Sequence, residues 1–236
     1  MTDSHAEDRP ATALVIGASG GIGAALADAL AARGLSVTRL ARREGGPDLR
    51  DPAATERAFA ALSGPFAQIW VATGILAPAG RRPEKALREI DAAAMAEMFA
   101  VNTIGPALVL RHAPRWLPRR GRSLLAVLSA RVGSIGDNAL GGWHAYRASK
   151  AALNMLLKGA AIELARTHPQ AVAVALHPGT VDSPFTAGFS PAHGKLPPAE
   201  AARRLLAVTE ALTPADSGSF RDHRGRSCHG DAPAGS

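Results

Sequence analysis

The 236-residue chain has one cysteine, Cys228, and one tyrosine, Tyr146, and aromatic residues make up only 4% of it. A lone thiol excludes an internal disulfide. It also leaves no cysteine framework for a structural metal, even with His223 and His229 nearby in sequence. With so few aromatics, the interior has to be built from Ala, Val, Leu and Ile, and 47% hydrophobic residues at this length suffice for one substantial core. Lysine is scarce too, four in all, so the formal charge of +7 is mostly arginine. The arginines are dispersed as pairs (Arg42–Arg43, Arg81–Arg82, Arg119–Arg120, Arg203–Arg204). Such a distribution reads as a solvated basic surface, compatible with small anions, rather than a stripe for nucleic acid. The segment MTDSHAEDRPA has no apolar signal core, and no apolar run in the sequence approaches the ~20 residues of a membrane span. The expectation is a soluble, cytoplasmic protein with neither membrane nor nucleic acid as partner.

Apolar runs and amphipathic stretches alternate along the chain. TALVI (12–16), LSVTRLA (35–41), QIWVAT (68–73), SLLAVLS (123–129) and AVAVALH (171–177) read as strands. The last two are continuous apolar runs, as a parallel strand covered on both faces requires. Between them lie helical patterns at 24–33, 52–62, about 91–113, from Tyr146 to about 166, and 198–212. Gly34 closes the first helix, and Pro52 opens the second. This order implies one α/β domain, a Rossmann-type doubly wound parallel sheet with helices on both faces. Its expected span is residues 11–225, with a tail at 1–10 and a polar, glycine-rich tail at 226–236. Residues 184–200 (PFTAGFSPAHGKLPPAE) are rich in proline and glycine and suit a mobile lid.

GASGGIG follows the first strand and opens the first helix. Gly17 would permit the tight turn, Gly21 the approach of backbone N–H groups to a pyrophosphate, and Gly23 the close packing of strand and helix. Ser19 and Ile22 belong to the same loop. The second strand ends at Ala41 with Arg42 and Arg43 and no carboxylate. Guanidinium groups there favour the 2′-phosphate of NADP(H), with NAD(H) as the alternative.

Tyr146 and Lys150 stand one helical turn apart on one face, where they could be an ordinary amphipathic pair or an acid and its tuning charge. A phenol with an ordinary pKa near ~10 is a poor base at neutral pH, and a nearby ammonium would lower that value.

Together with the glycine loop, the stretches DLRDP, VNTIGP, YRASK and HPGTVDSP resemble the short-chain dehydrogenase/reductase family in order and spacing. PEKALREID and GSIGDNALGGWHAYRASKAALNM look closest to its C-factor-like or sniffer-like carbonyl reductases. The resemblance implies a hydride transfer between NADP(H) and a carbonyl or alcohol carbon of a small molecule. Tyr146 would be the general acid–base, Lys150 its partner and the ligand of the nicotinamide ribose, and Asn102 the holder of a relay water. Asp48 and Leu49 would meet the adenine. Gly74, Pro178, Gly179, Val181 and Ser183 would line the rest of the cofactor site. Two departures stand out. The family's Asn-Asn-Ala-Gly reads Val71-Ala72-Thr73-Gly74 here. The catalytic serine is ambiguous: counting back from Gly133 puts Ala130 in its place, counting forward lands beside Ser129, and Ser134 lies further along. Ser129 is the expected donor. His144 reads as a histidine near a helix start, and Trp143 and Phe185 as pocket walls or loop packing. The resemblance further implies a homodimer or homotetramer through the helices near 91–113 and 144–166. A catalytically weak NADP(H)-binding sensor on the same scaffold is the rival reading.

Overall fold

A computed structural model of the chain describes residues 11–188 and 194–228. The expected tail at 1–10, residues 229–236 of the expected tail at 226–236, and residues 189–193 of the expected lid lie outside the described residues. Six parallel strands form one sheet: β1 (Thr12–Ile16), β2 (Ser36–Leu40), β3 (Gln68–Val71), β4 (Ser123–Leu128), β5 (Ala171–His177) and β6 (Ser219–Asp222), in the order β2-β1-β3-β4-β5-β6. The helices are α1 (Gly21–Ala32), α2 (Pro52–Ala60), α3 (Ala92–Phe99), α4 (Gly105–Trp116), α5 (His144–Ala165) and α6 (Pro198–Ala211). The doubly wound α/β fold expected from the alternation is therefore present.

Alternation along each strand divides the core into two layers. Leu14, Ile69, Leu125, Val127 and Ala173 face Phe59, Val109, Trp116, Leu153 and Leu157 of α2, α4 and α5. Val15, Trp70, Ala126, Val174 and Leu176 face Leu26 and Leu30 of α1 and Leu205 and Leu206 of α6. Local signals set the helix starts. Asp51 caps α2 by accepting from Ala54 N at 3.0 Å, with Pro52 in the first turn, and Asp91 caps α3 through Ala94 N at 2.8 Å.

Three expectations need correction. The long helix near 91–113 is interrupted by a π-helical turn at Ala100–Ile104 before continuing to Trp116. Periodicity cannot register one such turn, because apolar residues on either side keep steps of three and four. The combined stretch Ala92–Trp116 is also long and apolar enough, by composition, to cross a membrane. Its inner face packs on the sheet layer, with Val109, Ala113 and Trp116 fully buried. Thirdly, the polar carboxyl-terminal stretch supplies β6, and the expected tail boundary at 226 falls inside structure. Cys228 is fully buried, and its N–H donates to Phe220 O at 2.9 Å. SFRD escaped notice because only Phe220 and Asp222 turn inward. Asp222 is satisfied there by Arg224 N, Arg226 N and Arg131. Within the expected lid, Pro184–Thr186 forms a short 3-10 turn, Leu196 pairs beside Val181, and residues from Pro198 onward belong to α6.

The sheet begins at β1, moves outward to β2, and returns to β3 on the other side. The chain reverses direction between β1 and β3, and the crevice beyond their carboxyl ends is the expected ligand position of an open α/β sheet. β2 is left as an edge. The link from Ala41 to Asp51 makes only a 3-10 turn and a hydrogen-bonded turn at Asp48–Asp51, so no further strand lies outside β2 among the described residues. The edge is short and carries Arg39, paired with Asp28 at 2.6 Å, which discourages pairing with another chain.

Phe59 is fully buried with its ring edge-on to Trp116, centroids 5.4 Å apart. Replacing it with Ala should lower stability by about 3–5 kcal/mol. Urea unfolding followed by Trp fluorescence measures this, and a loss under about 1 kcal/mol would contradict the packing described.

Candidate active site

The glycine turn fits a backbone-only approach to an anion. Gly17 has φ +90°, and a Cβ there would lie 2.9 Å from the carbonyl carbon and oxygen of Ala72. A Cβ on Gly23 would stand 2.2 Å from Gly17 O, so this pair of glycines lets β1, β3 and α1 meet. The helix starts after Gly20, which has no side-chain cap, so the first-turn N–H groups and the positive dipole end face the crevice. Ser19 is exposed at its mouth, Ile22 half-buried, and Gly21 approaches Ser183, whose Cβ would be 3.1 Å from a Cβ at Gly21. Thr73 Oγ1 beside this turn is buried without a hydrogen-bond partner. A polar ligand reaching that spot would satisfy it, so the residues present fit a dinucleotide.

At the far end of the crevice, Arg42 follows β2 with its side chain 60% exposed and only a 3.5 Å contact to Asp48. The side chain of Arg43 lies outside the described residues. Asp48 is not free: Arg50 grips both carboxylate oxygens and donates its backbone N–H as well, holding the carboxyl well below the usual carboxylate range. Leu49 is buried against Gly105, where a Cβ would stand 2.7 Å from the leucine's own Cβ. Arg50 was not foreseen, though its place in DLRDP was visible.

Helix α5 carries Tyr146, Lys150 and Asn154 four residues apart, along one stripe. Gly141, Gly142 and Trp143 precede it with φ of +63°, +63° and +51°. A left-handed tryptophan is uncommon, and it turns its ring edge toward Tyr146 at 6.2 Å while its N–H donates to Glu84 O. His144 is the first residue of α5, as expected. The ring centroid of Phe185 stands 6.1 Å from that of the tyrosine, so both aromatic residues neighbour Tyr146. Tyr146 is 6% exposed and shares an apolar cluster with Met98, Ala130 and Ala145. Burial pushes its phenol above the ordinary value, contrary to the expected lowering by Lys150. Desolvation of the buried ring is the cause.

Lys150 is 3% exposed and donates to Leu128 O at 2.9 Å, which ties α5 to the end of β4. Burial pulls its pKa down to about 8. Gly74 lies alongside: a Cβ there would be 3.3 Å from Asn102 Oδ1 and 3.4 Å from Lys150 Nζ. The loss of both family amides before Gly74 is thus compatible with a tightly closed β3 loop. Asn102, on the π turn, is fully buried. Its Oδ1 accepts from Ile75 N at 2.8 Å, and its Nδ2 donates to Ile75 O at 2.9 Å and Ser149 Oγ at 3.1 Å. The side chain therefore clamps the β3 loop. Ser149 Oγ in turn donates to Tyr146 O at 2.9 Å. Neither Ile75 nor Ser149 was singled out in the sequence.

The serine expectation changes most. Ser129 Oγ donates to Asn154 Oδ1 at 2.6 Å, about 12 Å along the helix from Tyr146 at 1.5 Å per residue. Ser134 is buried in its own turn, where its Oγ accepts from Asp137 N at 3.4 Å. Ala130 and the partly buried Val132 are the apolar residues of this segment that cluster with Tyr146. The stripe Tyr146–Lys150–Asn154 was the signal that could have revealed the partner of Ser129. On the opposite wall, Pro178–Gly179 ends β5 with Gly179 at φ +81°, and Val181 is buried and paired with Leu196.

A glycine turn at the reversal point of a doubly wound parallel sheet, beside a buried tyrosine–lysine stripe, defines a Rossmann-type oxidoreductase. The short chain dehydrogenase family model matches residues 46–193, downstream of the glycine turn. C-signal of Myxococcus xanthus is 36% identical over 141 residues, covering 59% of this chain and 81% of that protein. Cis-4-hydroxycyclohexanecarboxylate dehydrogenase of Sinomonas cyclohexanicum is 32% identical over 193 residues, 75% of this chain and 76% of that one. A solved carbonyl reductase from Pseudomonas aeruginosa superposes with a TM-score of 0.75 at 29% identity, covering 92% of this chain and 98% of its own. The chain belongs to the short-chain dehydrogenase family, whose members are oxidoreductases of CH–OH and C=O groups.

The buried amine has a consequence for stability. Its pKa is about 8 when folded against an ordinary 10.5, so the unfolded chain binds more protons between these values. Stability of the cofactor-free protein should therefore rise with pH in that window, by about 1 kcal/mol from pH 8 to 9. Above pH 9 the buried Cys228, pushed up to about 11, opposes the gain. Chemical denaturation at pH 8 and 9 reads the rise, and Lys150→Met should abolish it.

Proposed function

We propose that this protein is an NADP(H)-dependent reductase of small-molecule carbonyl compounds, or dehydrogenase of the corresponding alcohols. The single observation that carries the reading is the buried stripe of Tyr146 and Lys150 closing on Gly74, at the end of the crevice that begins with the bare glycine turn. NADP(H) rather than NAD(H) is supported by Arg42, exposed at the end of β2 where the 2′-phosphate would lie, with no carboxylate in its place. A neighbouring fold solved with bound NADP, from Burkholderia multivorans, has a TM-score of 0.76 at 24% identity and supports the fold of this reading.

When bound, the dihydronicotinamide supplies the two electrons and the hydrogen of the reduction. The chain's own residues do the rest. Gly17, Ser19, Gly21, Ile22 and Gly23 would hold the pyrophosphate, and Asp48 with Leu49 would border the adenine. Gly74, Pro178, Gly179, Val181 and Ser183 would enclose the nicotinamide half, and Lys150 would bond its ribose. Tyr146 would give a proton to the carbonyl oxygen during reduction, which suits a phenol kept protonated by burial. Lys150, still largely charged at neutral pH, would aid the recovery of that proton. Because the amide of Asn102 is committed to Ile75, any water relay there would use its main-chain carbonyl on the π turn. Residues 184–200 would cover the substrate. Exposed Ile104, Met155 and Ile162 on the outer faces of the π turn and α5 support a homodimer or homotetramer. The reading includes a cytoplasmic protein.

The second reading, an NADP(H)-binding sensor with little catalysis, is favoured by one observation: the alanine at position 130 beside the phenol. Tyr146→Phe separates the two. A reductase should lose turnover by roughly 10²–10⁴-fold while NADPH affinity stays unchanged. A sensor would bind NADPH equally well and show no turnover in either form. Arg42→Glu should weaken NADPH binding roughly 10–100-fold and leave NADH nearly unaffected, read by fluorescence titration.

A further inference from the structure

The first N–H groups of a helix need acceptors from outside it, and α5 has none of its own. Its N-cap residue is Trp143, which makes no side-chain cap bond, and no acidic residue stands in its first turn. The acceptors come from Glu84, on the loop between β3 and α3. Trp143 N donates to Glu84 O at 2.5 Å, and Ala145 N donates to Glu84 Oε2 at 3.4 Å. One residue of a distant loop thus supplies a main-chain and a side-chain acceptor immediately before Tyr146. Its carboxylate also stands at the positive end of a 22-residue helix.

The fit is close. Gly142 and Trp143 are left-handed, and a Cβ on Gly142 would stand 3.3 Å from Glu84 O. A tryptophan keeps such a backbone only where its surroundings impose it. Glu84 is itself held by a loop knitted with charges. Glu89 accepts from Lys85 N at 3.0 Å and pairs with Arg82 at 3.3 Å, and Arg81 pairs with Asp91, the cap of α3, at 2.9 Å. These residues are the stretch PEKALREID with Arg81 and Arg82 before it, and no step of the proposed reaction uses them. On the inner side, Ala145 and Tyr146 share their apolar cluster with Met98 and Ala130, and Trp143 lies edge-on to the phenol.

From this we infer that Glu84 is a positioning residue for Tyr146. By accepting from Trp143 and Ala145 it fixes the left-handed entry of α5 and keeps the phenol inside its apolar cluster. It acts through the helix and touches no reacting atom. The catalytic consequence rests on the reductase reading above, because a proton donor must lie within hydrogen-bond reach of its acceptor and a small misplacement is costly. The placement of the phenol does not depend on that reading.

Tyr146 is the only tyrosine, so phenolate absorbance during an alkaline titration reports this residue alone. Burial raises its pKa, and in wild type the phenolate should appear only well above the ordinary value of ~10, or on unfolding. Glu84→Ala should bring the phenolate in at least about one pH unit earlier, as water reaches the ring, with circular dichroism showing the fold intact. On the best carbonyl of a panel, kcat should fall about 10-fold or more while NADPH affinity stays within about 3-fold. Glu84→Gln keeps an acceptor of the same reach and should restore both readouts. Leu87→Ala, exposed on the same loop, should change neither. A wild-type phenolate titration in Glu84→Ala would overturn the inference. Equal losses in Glu84→Gln and Glu84→Ala, or a shift of the same size in Leu87→Ala, would do so too. Should Glu84→Ala not fold, Glu84→Asp, one methylene too short to reach Ala145, carries the same expectation, and an unshifted phenolate there counts against it. If wild type binds NADPH but reduces no carbonyl in the panel, the reductase reading fails, and the phenolate titration still decides the role of Glu84.

Discussion

A buried ammonium held by one backbone carbonyl organises the cleft. Lys150 reaches from α5 to Leu128 O at the last residue of β4, and its neighbours Gly74 and Asn102 belong to the β3 loop and the π turn. Three separate elements thereby converge on one amine. Burying an amine is unfavourable, and the shift of its pKa to about 8 measures how reluctantly the fold keeps it charged.

The π turn is the second organising device. An extra residue in the helix between α3 and α4 turns Asn102 inward, where its amide closes on both polar groups of Ile75. Ser149 extends the same network to the backbone of Tyr146. The tyrosine is therefore set by hydrogen bonds that reach the β3 loop through two intermediates, while its ring packs in an apolar cluster with Met98, Ala130 and Ala145 and lies near Trp143 and Phe185. Backbone rigidity and an apolar surround go together here. The first fixes the backbone at the tyrosine, and the second raises the pKa of its phenol.

The link after β2 shows how chain length shapes chemistry. Only the stretch from Ala41 to Pro52 separates β2 from α2, too little for another strand, so Arg42, Asp48 and Arg50 are drawn into one charged cluster. Asp48 is held by Arg50 rather than waiting for a ligand, and Arg42 is left as the exposed cation of the group. A salt bridge in this exposed setting contributes little stability. Its effect is on which guanidinium remains available.

The sequence by itself determined the α/β order, the strands buried on both faces, the glycine turn and the Tyr–Lys spacing. Each is a local matter of period, turn chemistry or helical repeat, and each is visible within a dozen residues. That Ser129 meets Asn154 and Ala130 clusters with Tyr146 was decided only by tertiary structure, since it depends on the direction in which the chain leaves β4 and on an asparagine eight residues beyond the tyrosine on another element. The same holds for β6, whose two inward side chains carry no recognisable pattern until β5 and Arg131 lie beside them. It holds as well for the π turn, because a single added residue leaves the apolar spacing unchanged while rotating everything after it.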